Sequence, residues 1–414
     1  MLLTDEVSAP IPTVGVVEWS LAGDPPSSAK IVYALNDADP SLLNRGGDAP
    51  VQLSNTNYRT LLLGLKQSSN YRFHIEASRD GSTCVSPDYA LPTTGNLAGA
   101  PSVTVDVAQP AAREPGFIVT SSGTSVPDSA YIVDADGEIV WFFPGPINTS
   151  RAQMDYEGNN MWMIALNVLN EGGEMRYVSM DGQQSQLNVP GLAFAHHDFT
   201  VMPGGKVAAL VWDAPGVDPP SDLVVRTPDG QTSTLFTIGS NLYLSDTFHA
   251  DAIHYPPSAD SFTISDRNPN VYVEVTSAGL PQWQLGGVCD GAPTGAHCSP
   301  QSWQVNHGHQ LLDDGTFVLF NNTETYGAAH VLEFRLDNTS SALAATLVHD
   351  YTGTAASATL GDVQRLPGGN TLVTYSEAGQ IVELDADWNQ VQTFSLRVGY
   401  SSWRPTLYGP PLRL

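Results

Sequence analysis

Six copies of one phrase after residue 100 constrain this chain more than anything else in it. Each copy is two hydrophobic stretches around a short acidic turn: YIVDADGEIVWFF, RYVSMDGQQSQL, LVVRTPDGQTSTLF, VYVEVTSAGLPQWQL, VLEFRLDNTSSALAATL and IVELDADWNQVQTF. With Asp136, Asp181, Asp229, Ala278, Asp337 and Asp387 as markers, the spacings are 45, 48, 49, 59 and 50 residues. A period near 50 with strand-turn-strand units is the signature of a propeller, in which no unit buries its own apolar face and neighbours must stack. Each phrase reads as the outer hairpin of a four-stranded blade, with Asp and Gly supplying the turn.

A second repeat supplies the inner hairpins: HHDFTVMPGGKVAALVW, NHGHQLLDDGTFVLFNN and GDVQRLPGGNTLVTYSE. Counting eight residues back from Gly205, Gly315 and Gly369 reaches His197, His307 and Gly361. RAQMDYEGNNMWMIALN and HADAIHYPPSADSFTISDR join the register with Arg151 and His249. Successive blades therefore offer Arg151, His197, His249, His307 and Gly361 at the mouth of the innermost strand, facing a central channel. Three of the ten histidines fall on one structural position, and imidazoles gathered in a cleft are candidates for chemistry.

Composition agrees with the pattern. With 37 Gly and 30 Pro spread along 414 residues, helices should be few. The expected fold is all-β: a six-bladed β-propeller over 98–414, preceded over 1–97 by a small β-sandwich. In the first segment VGVVEWSL, AKIVYAL, YRTLLLGL and NYRFHIEAS alternate apolar and polar residues between turn signals. The run YRTLLLGLKQSSNYRFHIEAS and the position of Trp19 make it similar to a fibronectin type III domain. Both chain ends are expected to close the propeller, through GFIVTSS (116–122) and SSWRPTLYG (401–409).

The formal charge of −26 makes nucleic acid and anionic lipid poor partners. No apolar run approaches the roughly 20 residues of a membrane span, and MLLTDEVSAP lacks the basic start and apolar middle of a signal peptide. Cys289 and Cys298 flank a Gly/Pro-rich loop and read equally as a disulfide or as two free thiols; ligation of a metal with His297 is a weaker third reading.

Around the histidines, His196 should point away from His197 and support it, and His309 is a similar neighbour. Positions after the second inner strand return to the same mouth: Asn167, Arg267, Asn322 and Tyr375. Arg267 stands out in a chain with only 17 cationic side chains, because a guanidinium matches sulfate, phosphate or carboxylate bidentately.

From about residue 100 onward the chain resembles the arylsulfotransferase family of six-bladed propellers. The matching phrases are HHDF (196–199), HADAI with ISDRNPNVYVEV and WQLGG (249–253, 264–275, 283–287), and WQVNHGHQLLDDGTFVLFNN (303–322). The resemblance implies that an aryl sulfate donor sulfates a channel histidine, which passes the group to a phenol. Carried over by position, His307 is the nucleophile, His197 and His249 hold the sulfuryl oxygens and exchange the phenolic proton, and Arg267 neutralises the sulfate. Arg151, Asp251, His196, His309, Asn322 and Tyr375 are the expected substrate-binding residues. No cofactor is required, the partner is a small aromatic or anionic molecule, and the implied location is extracytoplasmic. Two positions depart from the family: His249-Ala250-Asp251 replaces His-x-Asn, and His307-Gly308-His309 replaces His-Asp.

Other chemistries suit the same residues. His197, His249 and His307 also form a ligand set for zinc or iron, with Asp251 beside them, and calcium is a further candidate as a structural ion. Acid/base lyase, isomerase or hydrolase chemistry needs only a histidine and Arg267. A non-enzymatic reading is a cell-surface binding protein with Trp303, Tyr326 and Trp403 as an aromatic platform.

Overall fold

The computed structural model of the chain describes all residues except 38, 54–56, 124–126, 147, 166–173, 214–219, 239–247, 257, 324–326, 340–341 and 410–414. Asn167 and Tyr326 therefore lie outside the described residues. Apart from three short 3-10 turns, the regular structure described is all strand, as the Gly and Pro content demands.

Residues 2–90 form two sheets. One orders Leu2–Val7, Gly15–Ser20 and Asn57–Leu62; the other orders Gly46–Pro50, Ser28–Leu35, Tyr71–Arg79 and Ser82–Val85, with Tyr89–Ala90 against Tyr71–Arg79. The period-2 alternation points Val17, Trp19 and Leu62 of one sheet and Ile31, Tyr33 and Phe73 of the other into a common core. Trp19 stacks at 4.5 Å on Tyr58. The Tyr71 hydroxyl accepts the backbone N–H of Lys66 at 2.8 Å and pins the turn before its strand.

Six further sheets of four or five strands follow among the described residues. Five are built in chain order, inner hairpin then outer hairpin, and the six acidic-turn phrases are the outer hairpins of these sheets. The inner strands are Thr149–Met154, Ala195–Met202, Ala250–His254, Asn306–Leu311, Asp362–Arg365 and Ser401–Arg404. Each adjoins the next and the last returns to the first, so the sheets stand around a central axis as in a β-propeller. Both chain ends close the ring. Ser401–Arg404 pairs antiparallel with Phe117–Ser121, from Phe117 opposite Arg404 to Thr120 opposite Ser401, and Thr104–Val107 adds a fifth strand to the last sheet beside Gln390–Ser395.

The first two sheets are fastened to the ring through polar contacts. Lys66, buried, is paired with Asp134 and, at 3.0 Å, with Asp136. Arg59 meets Asp181 at 2.7 Å, and Tyr408 receives the Leu63 N–H at 2.7 Å. Cys289 and Cys298 are joined in a disulfide that closes the loop between them, and Cys84 is free and exposed. Among the described residues no helix is long and apolar enough to cross a membrane.

Candidate active site

The inner strands share a local irregularity at their entrances. Antiparallel register shifts between Thr149 and Arg151, Ala195 and Phe199, Ala250 and Ala252, and Asn306 and His309. Such bulges leave one residue unpaired and re-aim its side chain. His197 lies inside the second bulge with φ +55°, a left-handed conformation that a non-glycine residue adopts only where its surroundings impose it. His197 and His307 thus lie within such shifts, whereas Arg151 is paired with Ile164 and His249 directly precedes its strand, in which Asp251 is the skipped residue.

His196, His197, His249 and His307 do converge. The His197 and His249 rings lie 4.6 Å apart and nearly perpendicular. His196 Nδ1 and His197 Nδ1 share a hydrogen bond at 2.7 Å, so one nitrogen carries the proton and the other accepts it. The far side of His196 stacks on Trp212 at 4.5 Å, and its Nε2 meets Ser221 Oγ at 3.0 Å. His196 therefore does not point away from His197 as strand alternation predicts: the left-handed His197 in the bulge brings the two rings together. Burial, and secondarily the His249 imidazole, hold both His196 and His197 well below the usual histidine range, so both are neutral.

His307 is the most tightly specified. Its Nδ1 is 2.7 Å from Asn322 Oδ1. The Asn322 amide nitrogen donates to Ser357 O at 2.8 Å and Leu360 O at 2.6 Å, so the oxygen must face the imidazole and His307 Nδ1 must carry a proton. Burial pushes the His307 pKa down to about 3, with Arg267 and His249 adding to the shift. The ring is therefore neutral and its Nε2 lone pair is unprotonated.

Beside that lone pair stands Asp251, fully buried, with Oδ2 3.2 Å from His307 Nε2. Neither carboxyl oxygen has a hydrogen-bond partner among the described residues. Burial, reinforced by Asp266, raises the Asp251 pKa well above the carboxylate range against the opposing pull of Ser265 and Arg267. The shift favours the protonated acid and so lessens the negative charge beside His307.

Arg267 reaches the cluster from the end of the second strand of the same inner hairpin. Its backbone N–H donates to His249 O at 3.0 Å, and the His249 N–H donates to Asp266 Oδ1 at 2.8 Å. The guanidinium makes no ion pair among the described residues, and its Nε is buried without a hydrogen bond. A cation without an ion pair among the described residues is suited to an anion.

Three expected substrate ligands are occupied elsewhere. Arg151 is buried in ion pairs with Asp198 and, at 3.0 Å, with Asp362, and its guanidinium lies 4.3 Å over the Tyr400 ring. His309 is held by Thr263 Oγ1 at 2.9 Å and packs on Tyr272 at 4.7 Å. Tyr375 is fully buried against Phe320 in the core between two sheets. Gly308 has a steric cause: a Cβ there would lie 2.2 Å from Asp362 Oδ1, so a side chain would displace the partner of Arg151. Asp198 and Asp362 carry the ion pair and were not singled out in sequence, although each directly follows a register position. Among the described residues no three His, Cys, Asp or Glu side chains are grouped to hold a metal ion.

Known proteins give limited company. A family profile described as arylsulfotransferase (ASST) matches residues 224–397, which span His249, Asp251, Arg267, His307 and Asn322. No curated protein sequence matches significantly. Similar solved structures include a protein of unknown function from Bacteroides caccae (12% identity, 70% of this chain and 99% of that one, TM-score 0.48). A functionally unknown protein from Desulfotomaculum acetoxidans is also similar (10% identity, 82% and 96%, 0.45). A third is a catalytically inactive virginiamycin B lyase from Staphylococcus aureus with quinupristin (10% identity, 70% and 88%, 0.42). At such scores these likenesses add nothing to what the sheets themselves display.

Proposed function

We propose that this protein transfers a sulfuryl group from an aryl sulfate to a phenol through a transiently sulfated His307. The observation that carries the reading is the Asn322 clamp on His307 Nδ1, which leaves the Nε2 lone pair unprotonated in a neutral ring. The match of residues 224–397 to the arylsulfotransferase profile supports the same chemistry.

In the first half-reaction Nε2 attacks sulfur, an N–S bond forms, and the bond from sulfur to the aryl oxygen breaks. Negative charge gathers on the equatorial and leaving oxygens, where Arg267 and the neighbouring imidazole N–H groups stabilise it. His249, entering as the imidazolium, gives its proton to the departing phenolate, while neutral His197 serves as a hydrogen-bonding neighbour. In the second half-reaction the acceptor phenol gives up its proton to the now neutral His249, its oxygen attacks sulfur, and the N–S bond breaks to restore neutral His307. Asp251 remains protonated throughout and so tolerates the sulfate beside it. Asn322 acts by positioning, and Arg151 belongs to the framework below the site.

The test is intact-protein mass after brief mixing with p-nitrophenyl sulfate, with nitrophenolate release followed in parallel. One SO₃ adduct on the wild type, absent from His307→Ala, is the expected result. Turnover without an adduct, or an adduct that persists in His307→Ala, overturns the assignment of the nucleophile. Absence of both overturns the reaction.

A further inference from the structure

We propose that the opposite end of the channel is a second ligand site, which takes a single-ring phenol and is sealed from the histidines by the Arg151 ion triad. The inference stands on geometry of its own and does not require sulfuryl transfer at His307.

The inner strands run from the histidine mouth to a cavity of about 130 Å³ at their far ends. Its floor is Arg151 and Asp362, and none of His196, His197, His249, Asp251, Arg267 or His307 lines it. Between the two compartments lie Arg151, Asp198, Asp362 and Tyr400, all buried, with the Tyr400 hydroxyl donating to Asp251 O at 2.8 Å. A closed set of ion pairs of this kind is a partition.

Among the described residues the lining carries no unpaired carboxylate. Asp362 is matched by Arg151, and the Arg404 guanidinium donates to the carbonyls of Asp155, Thr406 and Gly409 and meets no carboxylate. His254 and His309 are neutral, since burial lowers them to about 3 and about 4. A cationic ligand would find no partner here.

The polar groups that remain point to a hydroxyl. Gln153 Oε1 accepts the Val201 N–H at 3.2 Å and Gln310 Oε1 accepts the Arg365 N–H at 2.7 Å, which fixes both amides with the oxygen toward the neighbouring strand. Their Nε2 groups make no hydrogen bond among the described residues and belong to residues lining the cavity. Tyr156 Oη and His254 Nδ1, also on lining residues, are buried without partners. Unsatisfied buried polar atoms gathered at one cavity call for an occupant that bonds to them.

Val201, Ile253, Leu311 and Val363 add an aliphatic stretch to the lining. The volume matches one six-membered ring, since a cavity of ~150 Å³ accepts benzene. A sugar ring would need an open aromatic face. Tyr255 instead packs on Phe262 at 5.0 Å, and the Trp403 ring presses on Gly116, where a Cβ would come within 2.5 Å of it. A planar ring with one hydroxyl fits the aliphatic slot and the few polar atoms together.

The probe is 4-bromophenol at pH 7, applied to the whole chain. Crystals soaked with it should give a bromine anomalous peak between Val201 and Leu311. In solution, titration should saturate, with at least tenfold weaker binding in Gln310→Leu and no change in Arg267→Ala. A peak only at the histidine mouth, loss of binding in Arg267→Ala with retention in Gln310→Leu, or ordered water alone in the cavity each overturn the proposal. Because the peak position is read from the wild type, a variant that fails to fold leaves the test intact. Nitrophenolate release by the same preparation reports separately on the His307 chemistry.

Discussion

Replacing Asn322 by alanine separates the tautomer argument from mere proximity. The side chain makes three buried hydrogen bonds: it accepts from His307 Nδ1 at 2.7 Å and donates to Ser357 O and Leu360 O at 2.8 and 2.6 Å. A buried polar group deprived of its partner costs roughly 1–3 kcal/mol, so truncation should destabilise the fold by about 3 kcal/mol or more, less whatever an entering water restores. The effect on chemistry is distinct. If the His307–Asn322 bond is worth a net of about 1 kcal/mol, removing it lowers the preference for the Nδ1–H tautomer about five- to tenfold. kcat with an aryl sulfate should then fall by a similar factor, and KM should hold because Arg267 is untouched.

Two assays read these effects independently. Long-range ¹H–¹⁵N NMR of histidine-labelled protein assigns the tautomer directly: wild-type His307 should be neutral and protonated on Nδ1 between pH 5 and 8, consistent with a pKa near 3. Asn322→Ala should show a mixture, and urea unfolding should give its loss of stability. A wild-type ring protonated on Nε2, or a variant that loses stability while keeping both tautomer and kcat, would refute the reasoning.

The other expectations are more compact. Asp251 has a raised pKa, so its neutral form dominates below that value and a carboxylate appears beside His307 as pH rises through it. Wild-type turnover should therefore fall on the alkaline side, and Asp251→Asn should remove that limb from the pH-rate profile and stabilise the fold at neutral pH, where the buried acid is under pressure to ionise. Lys66→Met strands the buried carboxyl of Asp134, already lifted to about 6 by burial with Lys66 present, and should cost about 3–5 kcal/mol in urea unfolding. The loss should be larger at pH 8 than at pH 5, where Asp134 can protonate; a loss below about 1 kcal/mol at pH 8 contradicts the burial of the pair. Finally, an anionic aryl sulfate must approach a chain of net charge −26, so kcat/KM should rise as salt shortens the Debye length from about 30 Å at 0.01 M to about 8 Å at 0.15 M.

Much of the architecture is legible in sequence because a propeller repeats its turn chemistry. The Asp-Gly turns at 136–137, 181–182 and 229–230 mark outer hairpins, and the eight-residue count from Gly205 and Gly315 reaches His197 and His307 without any knowledge of space. That count cannot tell which residue of each strand the bulge takes up: it is His197 in one strand and Ser150, the neighbour of Arg151, in another. Arg151 occupies the same register as the histidines, yet it turns to Asp198 and Asp362, one residue beyond register positions on two other strands. Tyr375 fails for a related reason: the end of the second strand brings Arg267 and Asn322 to the cluster, while the same location in the last sheet points a large ring at Phe320. Lateral pairing between neighbouring inner strands, as in Asn322 with the Leu360 carbonyl or Gln310 with the Arg365 N–H, leaves no periodic trace, since any amide serves.

The charge left over decides how the site works. Arg151, the cation nearest the centre of the channel by register, is spent on two carboxylates that burial has driven upward, Asp198 to about 6. Had Arg151 been free, the channel would bind anions at its middle, out of line with His307. With it neutralised, half-buried Arg267 is the cation beside the histidines that makes no ion pair among the described residues, and neighbouring imidazoles supply further donors. In the proposed reaction a sulfate held there lies beside the His307 Nε2 lone pair. The contrast between the neutralised Arg151 layer and Arg267 then sets the depth at which the anion stops, and burial, by favouring the protonated form of Asp251, reconciles that acid with it.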